Sequence, residues 1–116
     1  MRVLVVEDHA ALARFIAETL AAAGWEVAGP VADAKAAIDA TQHLELDLVV
    51  MDRSLRGEEA FGIADAASER GIPCLLVSGY QRATLPERFR DHPFLEKPFT
   101  MEALLTAVRA VIDGAR

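Results

Sequence analysis

Five side chains in this sequence carry groups that could work together on a phosphoryl group: the carboxylates of Glu7, Asp8 and Asp52, the hydroxyl of Ser78 and the ammonium of Lys97. Each lies at the end of a short apolar run. Arg2–Val6 ends in Glu7 and Asp8, residues 46–51 deliver Asp52, residues 73–77 end in Ser78-Gly79, and Phe94–Glu96 leads into Lys97-Pro98. If these runs are parallel strands, the five groups share the crevice outside the strands' carboxyl ends, where open α/β sheets bind ligands. Three carboxylates in one crevice repel each other and hold a hard cation well, and Mg²⁺ prefers oxygen ligands. The lysine balances the remaining charge and can hold an anion, and the hydroxyl can donate to a phosphoryl oxygen. These are the parts for phosphoryl transfer to a carboxylate, a reaction that depends mostly on positioning and charge neutralisation.

The elements that must position these groups follow from hydrophobic periodicity. Between the strand-length runs, residues 10–23 put Leu12, Phe15, Ile16 and Leu20 on one helical face, closed by Gly24. Residues 25–31 form a second strand that brings nothing chemical to the edge. Asp33 is placed to cap a helix carrying Ala36, Ala37, Ile38 and Ala40. Residues 59–70 read as a third helix stopped by Gly71. Residues 80–91 read as a loop with a short helix interrupted by Pro86, and Thr100 caps a last helix with Met101, Leu104, Leu105, Val108, Val111 and Ile112 at helical spacing. The order is β-α five times over. Strands that are apolar on both faces imply a parallel sheet covered by helices on both sides, with right-handed crossovers.

Composition narrows the function classes. The chain has 116 residues, enough for one domain with its own core, here expected to span 1–116; 53% are hydrophobic and 26% charged. A net charge of −6 makes direct DNA or RNA binding a poor fit. No apolar run approaches the roughly 20 residues of a membrane helix, and no leader precedes the first strand, so the expected location is the cytoplasm. Cys74 stands alone in an apolar run and reads as a buried hydrophobe. His9, His43 and His92 lack metal-ligand spacing. Only two lysines occur, Lys35 and Lys97, in a chain that otherwise uses Arg, which suggests a point-charge role for Lys97.

The segments VVEDH at 5–9, VVMDRSLRGEEA at 49–60, LLVSGY at 75–80 and FLEKPF at 94–99 together resemble the receiver domain of bacterial two-component response regulators, across essentially the whole chain. The resemblance implies a flavodoxin-like (βα)5 fold with strand order 2-1-3-4-5. It implies that Asp52 is the phospho-acceptor, that Mg²⁺ is held by Asp8, Asp52 and the Ser54 carbonyl, and that Glu7 acts on the metal through water. Ser78 and Lys97 then correspond to the phosphoryl-binding pair, Phe94 to the aromatic that changes rotamer on activation, and the Lys97-Pro98 bond to one that is typically cis. A sensor histidine kinase or histidine phosphotransferase is the implied donor. An unidentified downstream protein, or a dimer through the face of helix four, strand five and helix five, is the implied output. The implied role is a switch that catalyses its own modification and hydrolysis, more than a turnover enzyme; a phosphate sink or an interaction receiver without its own output is the alternative.

Two departures stand out. Many receivers have Pro four residues after the acceptor, where this chain has Arg56, and the stretch between Ser78 and Lys97 is short. Both features resemble a compact subgroup with Leu-Arg-Gly-Glu after the acceptor and Gly-Tyr after the Ser/Thr. The chain ends with its last helix, which leaves no expected room for an output domain. Tyr80 would lie over an acyl phosphate and slow its hydrolysis, and Arg53, next to the acceptor, is a second candidate modulator of lifetime. Three rivals fare worse. A haloacid-dehalogenase-type phosphatase needs an Asp where Ser54 stands. A flavin or nucleotide binder needs a Gly-rich phosphate loop. A degenerate receiver would not keep all five site groups.

Overall fold

The apolar runs become strands because their side chains alternate onto two faces and both faces are buried. The structure is a computed structural model and describes residues 1–114. Its elements are β1 (Arg2–Val6), α1 (Ala10–Ala22), β2 (Glu26–Val31), α2 (Ala34–His43), β3 (Leu48–Asp52), β4 (Ser54–Leu55), β5 (Glu58–Glu59), α3 (Phe61–Glu69), β6 (Cys74–Ser78), β7 (Phe94–Glu96) and α4 (Met101–Gly114). The main sheet is parallel, in the order β2-β1-β3-β6-β7. This is the flavodoxin-like order expected from the sequence; β6 and β7 are the fourth and fifth strands of that sheet.

One face of the sheet presents Leu4, Val6, Val49, Met51 and Leu76 to Ala37 of α2 and to Ile63, Ala64 and Ala67 of α3. The other presents Val3, Val5, Val50, Leu75 and Val77 to Ile16 and Leu20 of α1 and to Leu104, Val108 and Ile112 of α4. Each Val, Leu, Ile or Met side chain among these contributes about 1.5–3 kcal/mol on full burial, so the two-sided apolar pattern decides the layer order. Asp33 caps α2 by accepting from the Ala36 N–H (2.8 Å), and Thr100 does the same for the Ala103 N–H of α4 (3.0 Å).

Two local expectations need correction. The third helix begins at Phe61 and not at residue 59, because residues 54–59 form an antiparallel hairpin with Ser54 opposite Glu59 and Leu55 opposite Glu58. Its two-residue turn, Arg56-Gly57, has φ of 51° and 82°, the paired positive values of a type I′ turn. The fourth crossover holds no α-helix. It is built of two single 3₁₀ turns, Arg82–Thr84 and Glu87–Phe89, with Pro86 between them, and Leu85 and Phe89 alone anchor it in the core. The dimer face expected from the sequence therefore has no fourth helix in it. Strand two brings no side chain to the Asp52 cleft, as expected, but its backbone fixes the edge of the sheet. Gly29, at φ 88°, sits where a Cβ would lie 2.9 Å from the Val5 carbonyl oxygen, and the β1–β2 register shifts there. Beyond this irregularity the Val31 carbonyl accepts the Glu7 N–H at 3.0 Å, which fixes where Glu7 leaves the sheet.

Trp25 precedes β2, at the opposite end of the sheet from Asp52. Tryptophan emission should therefore stay unchanged on titration with Mg²⁺ or a phosphodonor. Strong quenching would contradict this topology.

Candidate functional site

Parallel register brings the predicted groups together. Val6 pairs with Met51 and Asp52 with Val77, so the residues following β1 flank Asp52. Lys97 is delivered by β7, and its own N–H donates to the Ser78 carbonyl at 2.7 Å. One oxygen from each of Glu7, Asp8 and Asp52 lies within 4.8 Å of the others. Lys97 Nζ donates to Asp52 Oδ2 at 2.6 Å and stands 2.9 Å from Glu7 Oε1. Asp8, Asp52, Ser54, Ser78, Tyr80 and Lys97 line one open cleft of about 480 Å³, to which Arg53, Gly57 and Gly79 also contribute.

Backbone N–H groups orient all three carboxylates. Glu7 Oε2 accepts from His9 N–H (3.0 Å), Asp8 Oδ2 from Arg56 N–H (2.7 Å), and Asp52 Oδ1 from Ser54 N–H (3.1 Å). Glu7 is buried, and burial raises its pKa above the ordinary carboxylate value despite the His9 N–H and Lys97 beside it. Asp8 is exposed and its pKa is lowered, chiefly by the Arg56 N–H. Burial alone would lower the Lys97 pKa, but hydrogen bonding to Asp52 and the pairing with Glu7 outweigh it and raise the pKa overall. The ammonium stays charged. Ser78 is fully buried, and its Oγ accepts the Tyr80 N–H at 2.9 Å, leaving its own proton free to donate.

The donor set suits a small hard cation. Glu7 Oε1 is buried without an aligned hydrogen bond, although Lys97 is near, so it keeps acceptor capacity. One carboxylate oxygen from each of Glu7, Asp8 and Asp52 within 4.8 Å of the others is an oxygen-only donor set of the kind Mg²⁺ takes.

The remaining expected residues fall into distinct places. Tyr80 is exposed at the cleft rim, with the Arg53 guanidinium 5.5 Å from its ring centre. Phe94 is half-buried beside the core, and Arg82 stacks over its ring at 5.0 Å while donating to the Arg90 and His92 carbonyls. Arg53 is buried, and its side chain reaches Thr84. Cys74 is buried and its pKa is raised by that burial, so it is no nucleophile. Sequence reasoning missed two contributors. His9 caps α1, its Nδ1 accepting the Leu12 N–H at 3.3 Å. The Arg56 N–H orients Asp8 through a hairpin whose only sequence signal is Arg-Gly between acceptor and helix. Arg56 also accounts for the missing proline: a proline there would have no N–H to offer Asp8 and could not adopt φ 51°.

Comparison with known proteins agrees with this fold. Residues 3–109 match the model of the response regulator receiver domain. The transcriptional regulatory protein PdtaR of Mycobacterium tuberculosis is 30% identical over 99% of this chain, and the chain spans 58% of that relative's length. The solution structure of SdrG from Sphingomonas melonis superposes with a TM-score of 0.86 at 30% identity, covering 97% of this chain and 96% of that one. A response regulator receiver protein from Sinorhizobium medicae superposes at 0.85 with 27% identity, covering 100% and 97%.

Arg56→Pro should cost about 2 kcal/mol or more of folding stability, measured as a shift in the urea midpoint, because it removes the donor to Asp8 and breaks the turn. Arg56→Gly keeps both and should stay within about 1 kcal/mol of the parent. Equal effects of the two would discount the N–H.

Proposed function

The chain belongs to the response regulator receiver family, and from that membership we propose that Asp52 accepts a phosphoryl group from a phosphohistidine on a sensor histidine kinase or histidine phosphotransferase. Glu7, Asp8, Asp52 and the Ser54 carbonyl would hold Mg²⁺. The observation that carries this reading is Lys97, paired at once with Asp52 and Glu7 in a cleft with three converging carboxylates.

When bound, Mg²⁺ neutralises phosphoryl oxygens and so lowers the repulsion between donor and carboxylate. The chain's own groups do the rest. An Asp52 oxygen attacks phosphorus in line; the new O–P bond forms as the P–N bond to the donor imidazole breaks, and the ring keeps that electron pair. Lys97, paired with the Asp52 carboxylate beforehand, moves its charge to a phosphoryl oxygen. Ser78 donates its free proton to a second oxygen. These contacts exist only after transfer, so they bias the position of β7 and of the turn that follows Ser78. Phe94 is the proposed rotamer switch, and the face of residues 82–89, β7 and α4 the proposed surface for a downstream protein or a second copy. Tyr80, at the cleft rim, slows attack by water on the acyl phosphate. The proposed location is the cytoplasm, beside the kinase's phosphohistidine.

Mass spectrometry after incubation with acetyl phosphate and Mg²⁺ should find one phosphoryl group on the wild type and none on Asp52→Asn. Labelling that survives in Asp52→Asn would sink the proposal. Tyr80→Ala should label normally and lose the group several-fold faster; an unchanged lifetime removes Tyr80 from the mechanism.

A further inference from the structure

The side chain beside the acceptor makes a set of contacts that phosphoryl chemistry does not use. Arg53 continues the sheet through its backbone, its N–H donating to Val77 O at 3.0 Å and its carbonyl accepting the Ala60 N–H at 2.8 Å. Its side chain, 9% exposed, runs to the opposite wall of the cleft. Nη1 donates to Thr84 Oγ1 at 2.7 Å, and Nη2 lies 3.4 Å from both the Thr84 carbonyl and Glu59 Oε1. The guanidinium stands 5.7 Å from the ring centre of Phe61 and 5.5 Å from that of Tyr80. Thr84 in turn donates to Gln81 O at 2.6 Å, which closes the first 3₁₀ turn.

Two features make this more than ordinary packing. Arg53 Nε is buried without a partner. Leaving a charged donor unsatisfied is costly, and a long apolar side chain could fill the space without that cost. Its forked head also joins four parts of the site wall: the acceptor hairpin through Glu59, α3 through Phe61, the 3₁₀ turn through Thr84 and the cleft rim through Tyr80. Tyr80 itself is 64% exposed and has little packing to hold its ring in place. The position of that ring at the rim of the Asp52 cleft therefore depends on the cation beside it.

We propose that Arg53 is a positioning residue: by latching the Thr84 turn to the acceptor hairpin, it holds Tyr80 over the acyl phosphate and sets the phosphoryl lifetime. This rests on the phospho-acceptor reading above. Arg53 touches no reacting atom and acts only through Tyr80 and Thr84.

The experiment follows the loss of phosphoryl group from the full chain after acetyl phosphate is removed, with Mg²⁺ present. Thr84→Val keeps the shape and removes the acceptor. It should label as the wild type does and lose the group about two- to tenfold faster, the range for one ordinary hydrogen bond, since the Nη2 contact to the Thr84 carbonyl remains. The effect should vanish on a Tyr80→Ala background, because the latch acts through that ring. Arg53→Met should match Thr84→Val, and Arg53→Lys, which keeps the cation without the fork, should restore part of the lifetime. A merely structural role would shift melting temperature without that dependence on Tyr80. An unchanged or longer lifetime in Thr84→Val, or equal factors with and without Tyr80, overturns the latch. Absence of labelling on wild-type Asp52 overturns the phospho-acceptor reading and the latch with it; normal labelling with unaltered decay overturns the latch alone.

Discussion

Lys97 stands 2.6 Å from an Asp52 oxygen and 2.9 Å from a Glu7 oxygen, and the carboxyl edge of the sheet depends on that ammonium. Two like charges about 4 Å apart cost about 4 kcal/mol at the effective dielectric near a protein surface. Three carboxylates in one crevice incur that cost more than once, and the sequence supplies a single lysine to offset it. The ammonium is held in turn by main-chain geometry: β7 pairs with β6, and the Lys97 N–H donates to the Ser78 carbonyl. The strand order is therefore a condition for the charge balance, because Lys97 reaches Glu7 and Asp52 only from an edge strand on the β6 side.

Around that charge cluster, backbone donors take over the work of orientation. Each of the three acids accepts one main-chain N–H, from His9, Arg56 and Ser54. Two of these donors belong to the hairpin that directly follows the acceptor, so Asp8 of β1's loop and Asp52 of β3 are set relative to each other by six residues of local structure. This arrangement needs a residue at position 56 that keeps its N–H and tolerates a left-handed backbone. It accounts both for the absence of proline and for Gly57 beside it.

Where helical receivers have a fourth helix, this chain uses two arginines. Arg82 gathers the Arg90 and His92 carbonyls and covers Phe94, while Arg53 crosses from the acceptor strand to Thr84. A pair of 3₁₀ turns buries little apolar surface beyond Leu85 and Phe89, so directional hydrogen bonds from long cationic side chains supply what packing does not. The Arg88–Asp65 pair between the second turn and α3 is exposed and adds little. A segment held this way has few apolar contacts to break, which suits it to shift when the site changes.

The sequence by itself determined the alternation of strands and helices, because two-faced apolar runs and helical spacing are local and strong. It also placed Glu7, Asp8, Asp52, Ser78 and Lys97 in one crevice, because parallel strands deliver their carboxyl-terminal residues to a common edge. The helix caps at Asp33 and Thr100 were readable for the same reason: donor and acceptor lie within one turn of each other. Only the tertiary structure decided the hairpin at 54–59, whose negatively charged, glycine-bearing sequence carries no hydrophobic period, and with it the later start of α3. The conversion of the fourth helix into 3₁₀ turns was half visible in Pro86, but its anchoring was not. Arg53 to Thr84 spans 31 residues and Asp8 to Arg56 spans 48. Contacts at such separations between a side chain and a backbone or hydroxyl group leave no periodic trace in sequence, since they form only once the sheet has brought the two segments side by side.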